Sequence, residues 1–220
     1  MTINQFQERQ MKAYLFDLDG TIFESMDIWG QVDIAFCKKH NLTHEVNYAD
    51  VVLSMYFEEA AAYTKTRFNL SQTPDEIVEE WLSMAAEAYE KVQLKPGAKE
   101  YLMILATKGH KLAVATSLPT QLLEPTLKRH GIYDIFDAIC TAKEVGCGKS
   151  KPDIFILAAN KLGVKPEDCL LFDDLFAAVK SAKSIGMKVC AVYDKTSHKD
   201  WDAICALADY AITDFNSMPF

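Results

Sequence analysis

The sequence predicts an α/β fold, a doubly wound parallel sheet with an all-helical insert after its first strand. Short, continuously apolar runs recur along the chain: Ala13-Tyr14-Leu15-Phe16, Leu112-Ala113-Val114-Ala115, Cys169-Leu170-Leu171-Phe172 and Val189-Cys190-Ala191-Val192. Strands buried on both faces of a parallel sheet read this way, whereas strands with one wet face alternate. Helical patterns separate the later runs, and the stretch from Ser25 to Lys91 carries helical patterns without a convincing strand. That order argues a strand–helix sheet interrupted once by helices.

Each helix has its own start and stop signals. One opens at Pro96-Gly97 and ends at Lys108-Gly109, a second runs from Pro119 to His130-Gly131, a third from Pro152 to Leu162-Gly163, and a fourth from Leu175 to Ile185-Gly186. A proline near the start and a glycine past the end suit the unpaired backbone groups there. Within the insert, Ile28-Val32-Ala35-Phe36 and Ile77-Trp81-Met84-Ala88 have helical spacing, and Thr73-Pro74-Asp75-Glu76 reads as a helix start. The expected division is a core of residues 11–24 and 93–220, a helical domain of residues 25–92, and a polar N-terminal extension of residues 1–10. The joints are expected near Ile22–Ser25 and Val92–Pro96.

Composition narrows the partners. The 220 residues are half hydrophobic and a quarter charged, with a formal net charge of −8. An acidic surface disfavours nucleic acid and anionic membranes as primary ligands, so an anionic ligand must be captured by a few local cations. The six cysteines form no C-x-x-C pair, and Cys140, Cys169 and Cys190 sit in apolar runs, which suits buried thiols in a reducing compartment. Thr2–Gln10 lacks a basic start followed by an apolar core, and no apolar run is long enough to cross a bilayer. A cytoplasmic location is expected, and nothing predicts more than a monomer.

Four segments carry chemistry. Phe16-Asp17-Leu18-Asp19-Gly20-Thr21 ends a buried strand in two carboxylates, where open α/β sheets bind ligands. A calcium loop is excluded, because Gly20 comes too early and Ile28 stands where a glutamate is needed. Phe172-Asp173-Asp174 again places two acids at a strand end, where the plain alternative is a cap for the next helix. Brought together, Asp17, Asp173 and Asp174 repel unless a cation lies between them, and a few hard oxygen ligands favour Mg²⁺. Thr116 and Ser117 precede a helix start, a natural phosphate contact and equally a natural cap. Lys149 and Lys151 stand before a proline-started helix, where an ammonium can turn into the cleft or simply stay in solvent.

These four segments, in this order from Met11 onward, resemble the haloacid-dehalogenase superfamily, and within it the proteins with a Rossmann-like core and a helical cap, similar to β-phosphoglucomutases and related phosphatases. The resemblance implies Asp17 as nucleophile, Asp19 as general acid/base, and Thr116 as the hydroxyl on the phosphoryl oxygens. It implies Mg²⁺ held by the Asp17 carboxylate, the Asp19 main-chain carbonyl and Asp174, with Asp173 in support. Gly20 and Ser117 join the phosphate contacts. The family's lysine motif usually reads Lys-Pro-x-Pro-Asp; aligning on Pro152-Asp153 selects Lys149, but Ser150 replaces the first proline and leaves Lys151 as a competitor. Leu175 and Ala178 stand where relatives often have serine and glycine.

The implied activity is Mg²⁺-dependent hydrolysis of a small phosphorylated metabolite, of sugar-phosphate or nucleotide type, through a phospho-aspartate. Dehalogenases of the superfamily lack the acid found here at Asp19. Phosphonate hydrolases need a cap lysine, for which Lys38, Lys39 and Lys65 are the candidates. β-Phosphoglucomutase has a cap histidine that falls at Trp29 and an arginine that Ser54-Met55-Tyr56-Phe57 does not supply, so hydrolysis is expected over mutation. A non-catalytic phosphate-binding module is the remaining alternative. Trp29 and Tyr56, with Phe57, are candidates to face the substrate from the cap, against the plain reading of helix-bundle core. His40, His44, His110, His130 and His198 show no metal-ligand spacing.

Overall fold

The structure, a computed structural model, describes residues 11–43, 48, 51–53 and 55–218. The extension at residues 1–10, His44 and Ser54 lie outside the described residues. Six parallel strands form one sheet in the order β3-β2-β1-β4-β5-β6. They are β1 (Ala13–Phe16), β2 (Lys111–Thr116), β3 (Ala138–Thr141), β4 (Cys169–Asp173), β5 (Lys188–Val192) and β6 (Tyr210–Ile212). The four apolar runs are the four inner strands. The two edge strands carry no such run, since β3 is only half-buried at Ala138 and Ile139 and β6 is three residues long.

The continuous apolar character of the inner strands follows from burial on both faces. Tyr14, Phe16, Leu112, Val114, Leu170 and Phe172 point to one side, packing with the helices Ala98–Thr107 and Thr120–His130. Ala13, Leu15, Ala113, Ala115, Leu171 and Val189 point to the other, against Asp153–Lys161 and Phe176–Ser184. Small residues dominate the second face and let its helices approach closely. Large rings dominate the first: Phe16 stacks on Phe172 at 4.7 Å between ring centroids, and Phe215 lies 5.6 Å from Phe172.

In-register pairing aligns the strand ends. Phe16 pairs with Val114 on one side and Phe172 on the other, so the residues after β1, at the end of β2 and at the end of β4 emerge together. Whatever follows Phe16, Ala115 and Phe172 must share one edge of the sheet.

Between β1 and the Ala98–Thr107 helix, the long described elements are three helices, Met26–Lys39, Phe57–Phe68 and Pro74–Tyr89. The last begins as expected, with Thr73 Oγ1 accepting from Glu76 N (3.3 Å) while Glu76 Oε2 accepts from Thr73 N (2.7 Å). Its buried stripe is Ile77, Trp81, Ala85 and Tyr89, one residue later at its end than the expected Met84 and Ala88. Successive four-residue steps drift around the helix, and that drift carries Tyr89 inward. Likewise Ala35 is exposed on the first helix, and Phe36 and Cys37 are buried. The two chain crossings beside the core run together, joined by Glu24 N to Gln93 O (2.9 Å) and Lys95 N to Ile22 O (2.8 Å). All six cysteines are free thiols. Among the described residues no helix is long and apolar enough to cross a membrane.

Candidate active site

The backbone of the first loop is shaped before any side chain acts. Asp17 N donates to Phe172 O (3.0 Å), extending the ladder by one residue. Leu18 O then accepts from Thr21, Ile22 and Phe23 N, at 3.1, 2.8 and 2.8 Å, closing a tight turn. Gly20 sits in that turn at φ +76°, and a Cβ there would lie 2.5 Å from Asp174 Oδ2. The glycine expected for close approach to phosphate is thus required by the Asp174 carboxylate as well.

Around Asp17 the sheet gathers four buried side chains. Lys149 Nζ lies 2.5 Å from Asp17 Oδ1 and 2.9 Å from Asp173 Oδ2. Asp173 Oδ1 accepts from Leu175 N (3.0 Å), so this residue both closes the turn before the next helix and holds the lysine. Asp174 Oδ1 accepts from Thr21 Oγ1 (3.2 Å), while its Oδ2 is buried without a hydrogen-bond partner among the described residues. Thr116, at the end of β2, uses its Oγ1 to accept from Leu118 N (3.2 Å) and also lines the cavity above Asp17. Ser117 and Lys149 line the same cavity. Lys151 is exposed and does not.

The electrostatics of this cluster suit a cation. Carboxylate oxygens of Asp17, Asp173 and Asp174 all lie within 4.8 Å of one another, with one ammonium among them. Burial pushes Asp173 up to about 6 despite Lys149, and burial followed by the charges of Asp173 and Asp17 holds Asp174 well above the ordinary carboxylate range. Burial alone would lower Lys149, yet the Asp17 and Asp173 carboxylates hold its ammonium above the usual lysine value. Three hard oxygen donors, with one oxygen orphaned in a buried site, fit a small divalent cation such as Mg²⁺.

Asp19 lines the same cavity but is held by a different set of partners. Its Oδ1 accepts from Ser25 Oγ (2.6 Å) and Tyr89 OH (2.5 Å), and its Oδ2 from Trp29 Nε1 (3.1 Å). Burial pushes Asp19 up to about 6 although all three donors lower it. Ser25, Tyr89 and Thr21 were not singled out from the sequence. Thr21 stood inside the first motif without an assigned role, and Tyr89 lies 70 residues from Asp19.

A cavity of about 520 Å³ opens in front of these groups. Trp29 and Phe57 line it, ring centroids 5.1 Å apart. Tyr56 is not among the lining residues; it packs instead with the core cluster on the small-residue face of the sheet. None of Lys38, Lys39 and Lys65 lines the cavity. Lys39 pairs with Glu80 (2.9 Å), and Lys65 reaches the carbonyls of Leu70 and Gln72.

Acids, a lysine and a hydroxyl gather at the strand ends before an open cavity in a Rossmann-like α/β fold, and the relatives of this chain make it a hydrolase of phosphoric monoesters. The chain belongs to the haloacid dehalogenase-like hydrolase family, whose profile matches residues 11–186. A curated relative is the probable pseudouridine-5'-phosphatase of Drosophila melanogaster, 28% identical over 224 residues and covered to 96% on both sides. Hexitol phosphatase B of Escherichia coli (strain K12) is 24% identical over 194 residues, 84% of each chain. Among solved structures, the β-phosphoglucomutase of Clostridium difficile shares the fold at a TM-score of 0.80 and 19% identity, covering 96% of this chain and 94% of that one.

Proposed function

We propose that this protein is a Mg²⁺-dependent phosphatase that hydrolyses a small phosphorylated metabolite through a phospho-aspartate at Asp17. The observation that carries the reading is the grouping of Asp17, Lys149, Thr116 and Asp174 at one end of the sheet, before a cavity of about 520 Å³. Asp17 attacks phosphorus in line, and the bond to the leaving oxygen breaks as Asp19 gives that oxygen a proton. Asp19, now a carboxylate, takes a proton from the water that attacks the phospho-aspartate, which releases phosphate and restores Asp17. Lys149, Thr116 and Ser117 share the charge on the phosphoryl oxygens. Asp17, Asp174 and the Asp19 carbonyl, supported by Asp173, would hold Mg²⁺, which supplies charge neutralisation to the phosphoryl group when bound.

The helices of residues 25–92 act in this reading as a cap that selects the leaving group and excludes water. Trp29 and Phe57 form its aromatic wall. Among the described residues this segment contributes no lysine, arginine or histidine to the cavity, whose basic residues besides Lys149 are Lys195, His198 and Lys199 from outside the segment, so a second phosphate has no cationic partner on the cap side. That favours hydrolysis over phosphosugar mutation. The cavity volume and the relatives' names support a sugar phosphate or nucleotide-type substrate. Free thiols suit a reducing compartment such as the cytoplasm.

The test is phosphate release from p-nitrophenyl phosphate and a panel of sugar phosphates and nucleotides, with Mg²⁺ and with Asp17→Asn as control. Turnover by the wild type and none by the variant is the expected result. Silence across the panel sinks the reading, and interconversion of glucose 1- and 6-phosphates without phosphate release would replace it with a mutase.

A further inference from the structure

Asp19 must present one carboxyl oxygen to the leaving group and then to water, and a carboxylate free to rotate does this poorly. Its two oxygens are held unequally. Oδ1 accepts two short hydrogen bonds, from Tyr89 OH at 2.5 Å and Ser25 Oγ at 2.6 Å. Among the described residues Oδ2 accepts only from the Trp29 indole N–H at 3.1 Å, and that N–H is shared with Tyr89 OH at 2.9 Å. A donor divided between two acceptors holds each less firmly than an undivided one.

Tyr89 is itself held. It is the last residue of the Pro74–Tyr89 helix, and its carbonyl accepts from Arg129 Nη2 (3.3 Å). The same guanidinium donates to Val92 O (2.6 Å), which His130 Nε2 also reaches (2.9 Å). The end of the Thr120–His130 helix thus grips the segment that returns to the core and holds the Tyr89 backbone in place.

From this geometry, and resting on the phosphatase reading above, we infer that Tyr89 is a positioning residue for the reaction. Its hydroxyl anchors Asp19 Oδ1, with Ser25 as second anchor, so that Oδ2 is the atom that passes the proton to the leaving oxygen. The proton leaves Oδ2 as the phosphorus–oxygen bond breaks and returns to Oδ2 from the attacking water. Tyr89 keeps its own proton throughout.

The test uses leaving groups of different basicity. The ratio kcat/KM reports the first irreversible step, transfer to Asp17, in which Asp19 is the acid. Phenyl phosphate releases a phenol with pKa about 10, like that of tyrosine, and needs the proton; p-nitrophenyl phosphate releases a much weaker base and needs it less. Tyr89→Phe keeps the ring against Trp29 and removes the anchor. It is expected to lower kcat/KM for phenyl phosphate about tenfold more than for p-nitrophenyl phosphate, a part of the 10²–10⁴ that a general acid contributes. Ser25→Ala is expected to shift the ratio the same way, and it decides the matter should Tyr89→Phe fail to fold. Equal losses on both esters, or an unchanged ratio, overturn the positioning role. A wild type inactive on both esters with Mg²⁺ overturns the phosphatase reading instead.

Discussion

The Lys149 ammonium bridges two acids, lying 2.5 Å from Asp17 Oδ1 and 2.9 Å from Asp173 Oδ2, in a buried site at the strand ends. One strand end thus supplies the group on Asp17 while the other anchors the cation beside it. Lys151, two residues on, is exposed and outside the cavity. Lys149→Ala is therefore expected to lower kcat/KM by roughly 10²–10³-fold, the size of losing one preorganised charge partner. Lys151→Ala is expected to stay within about twofold of the wild type, since it touches no part of that arrangement. Steady-state kinetics on p-nitrophenyl phosphate separate the two, and the opposite order would reassign the lysine.

Gly20 faces Asp174 across a gap that leaves no room for a side chain. A Cβ would come within 2.5 Å of Asp174 Oδ2, and the residue needs φ +76° in any case. Gly20→Ala is expected to cost about 1–2 kcal/mol from the left-handed backbone alone. It must also displace the Asp174 carboxylate, so Mg²⁺ affinity falls with stability. Chemical denaturation and Mg²⁺ titration of activity check both. A variant with normal stability and a normal Mg²⁺ midpoint contradicts the account.

Much of this was legible in the sequence because the informative residues are consecutive. Phe16-Asp17 and Phe172-Asp173-Asp174 carry both the strand and the acids that end it, so placing the strand places the chemistry. The edge strands were not legible. Ala138–Thr141 is half-buried over its first two residues and Tyr210–Ile212 is too short to show a pattern. The partners of Asp19 were hidden for a different reason. Ser25, Trp29 and Tyr89 meet it only through the packing of the helical insert, and the last of them depends on a stripe that drifts one residue from Met84 and Ala88 to Ala85 and Tyr89. Trp29 is legible as a candidate cap aromatic, but its bond to Asp19 requires the fold.

Glu80 gives a pH dependence in the helical insert. It pairs with Lys39 (2.9 Å), His40 (2.9 Å) and Gln72 (2.8 Å). Burial alone would raise its carboxyl, but the bonds from Lys39, Gln72 and His40 outweigh this and hold it below the ordinary glutamate value of 4.5. The unfolded chain then binds more protons near that pH. The stabilisation is complete above 4.5 and is lost as pH falls through the lower folded value. Glu80→Gln is expected to cost about 1 kcal/mol at pH 7, with the cost shrinking as melts are repeated at lower pH. A cost that stays constant on acidification counts against the ion-paired state.

Asp174 makes the most specific case for the metal. With one oxygen bonded to Thr21 and the other orphaned, it is a buried charge facing Asp173 and Asp17. Its folded-state pKa is raised, so its contribution to folding is complete below the unfolded value and is lost as pH rises through the folded one. Without metal, ionising this carboxyl inside the fold costs stability that an uncharged amide does not. Asp174→Asn removes that charge at nearly constant shape. In EDTA at pH 7 the variant is expected to melt above the wild type, by roughly 2–4 °C for each kcal/mol of repulsion relieved. Added Mg²⁺ reverses the order. The wild type gains about 2.7 kcal/mol at a hundredfold excess over Kd, while the variant gains little and loses most of its turnover. Melting curves with EDTA and with Mg²⁺ decide it: a variant less stable than the wild type in EDTA, or an equal Mg²⁺ shift in both, removes Asp174 from the metal site.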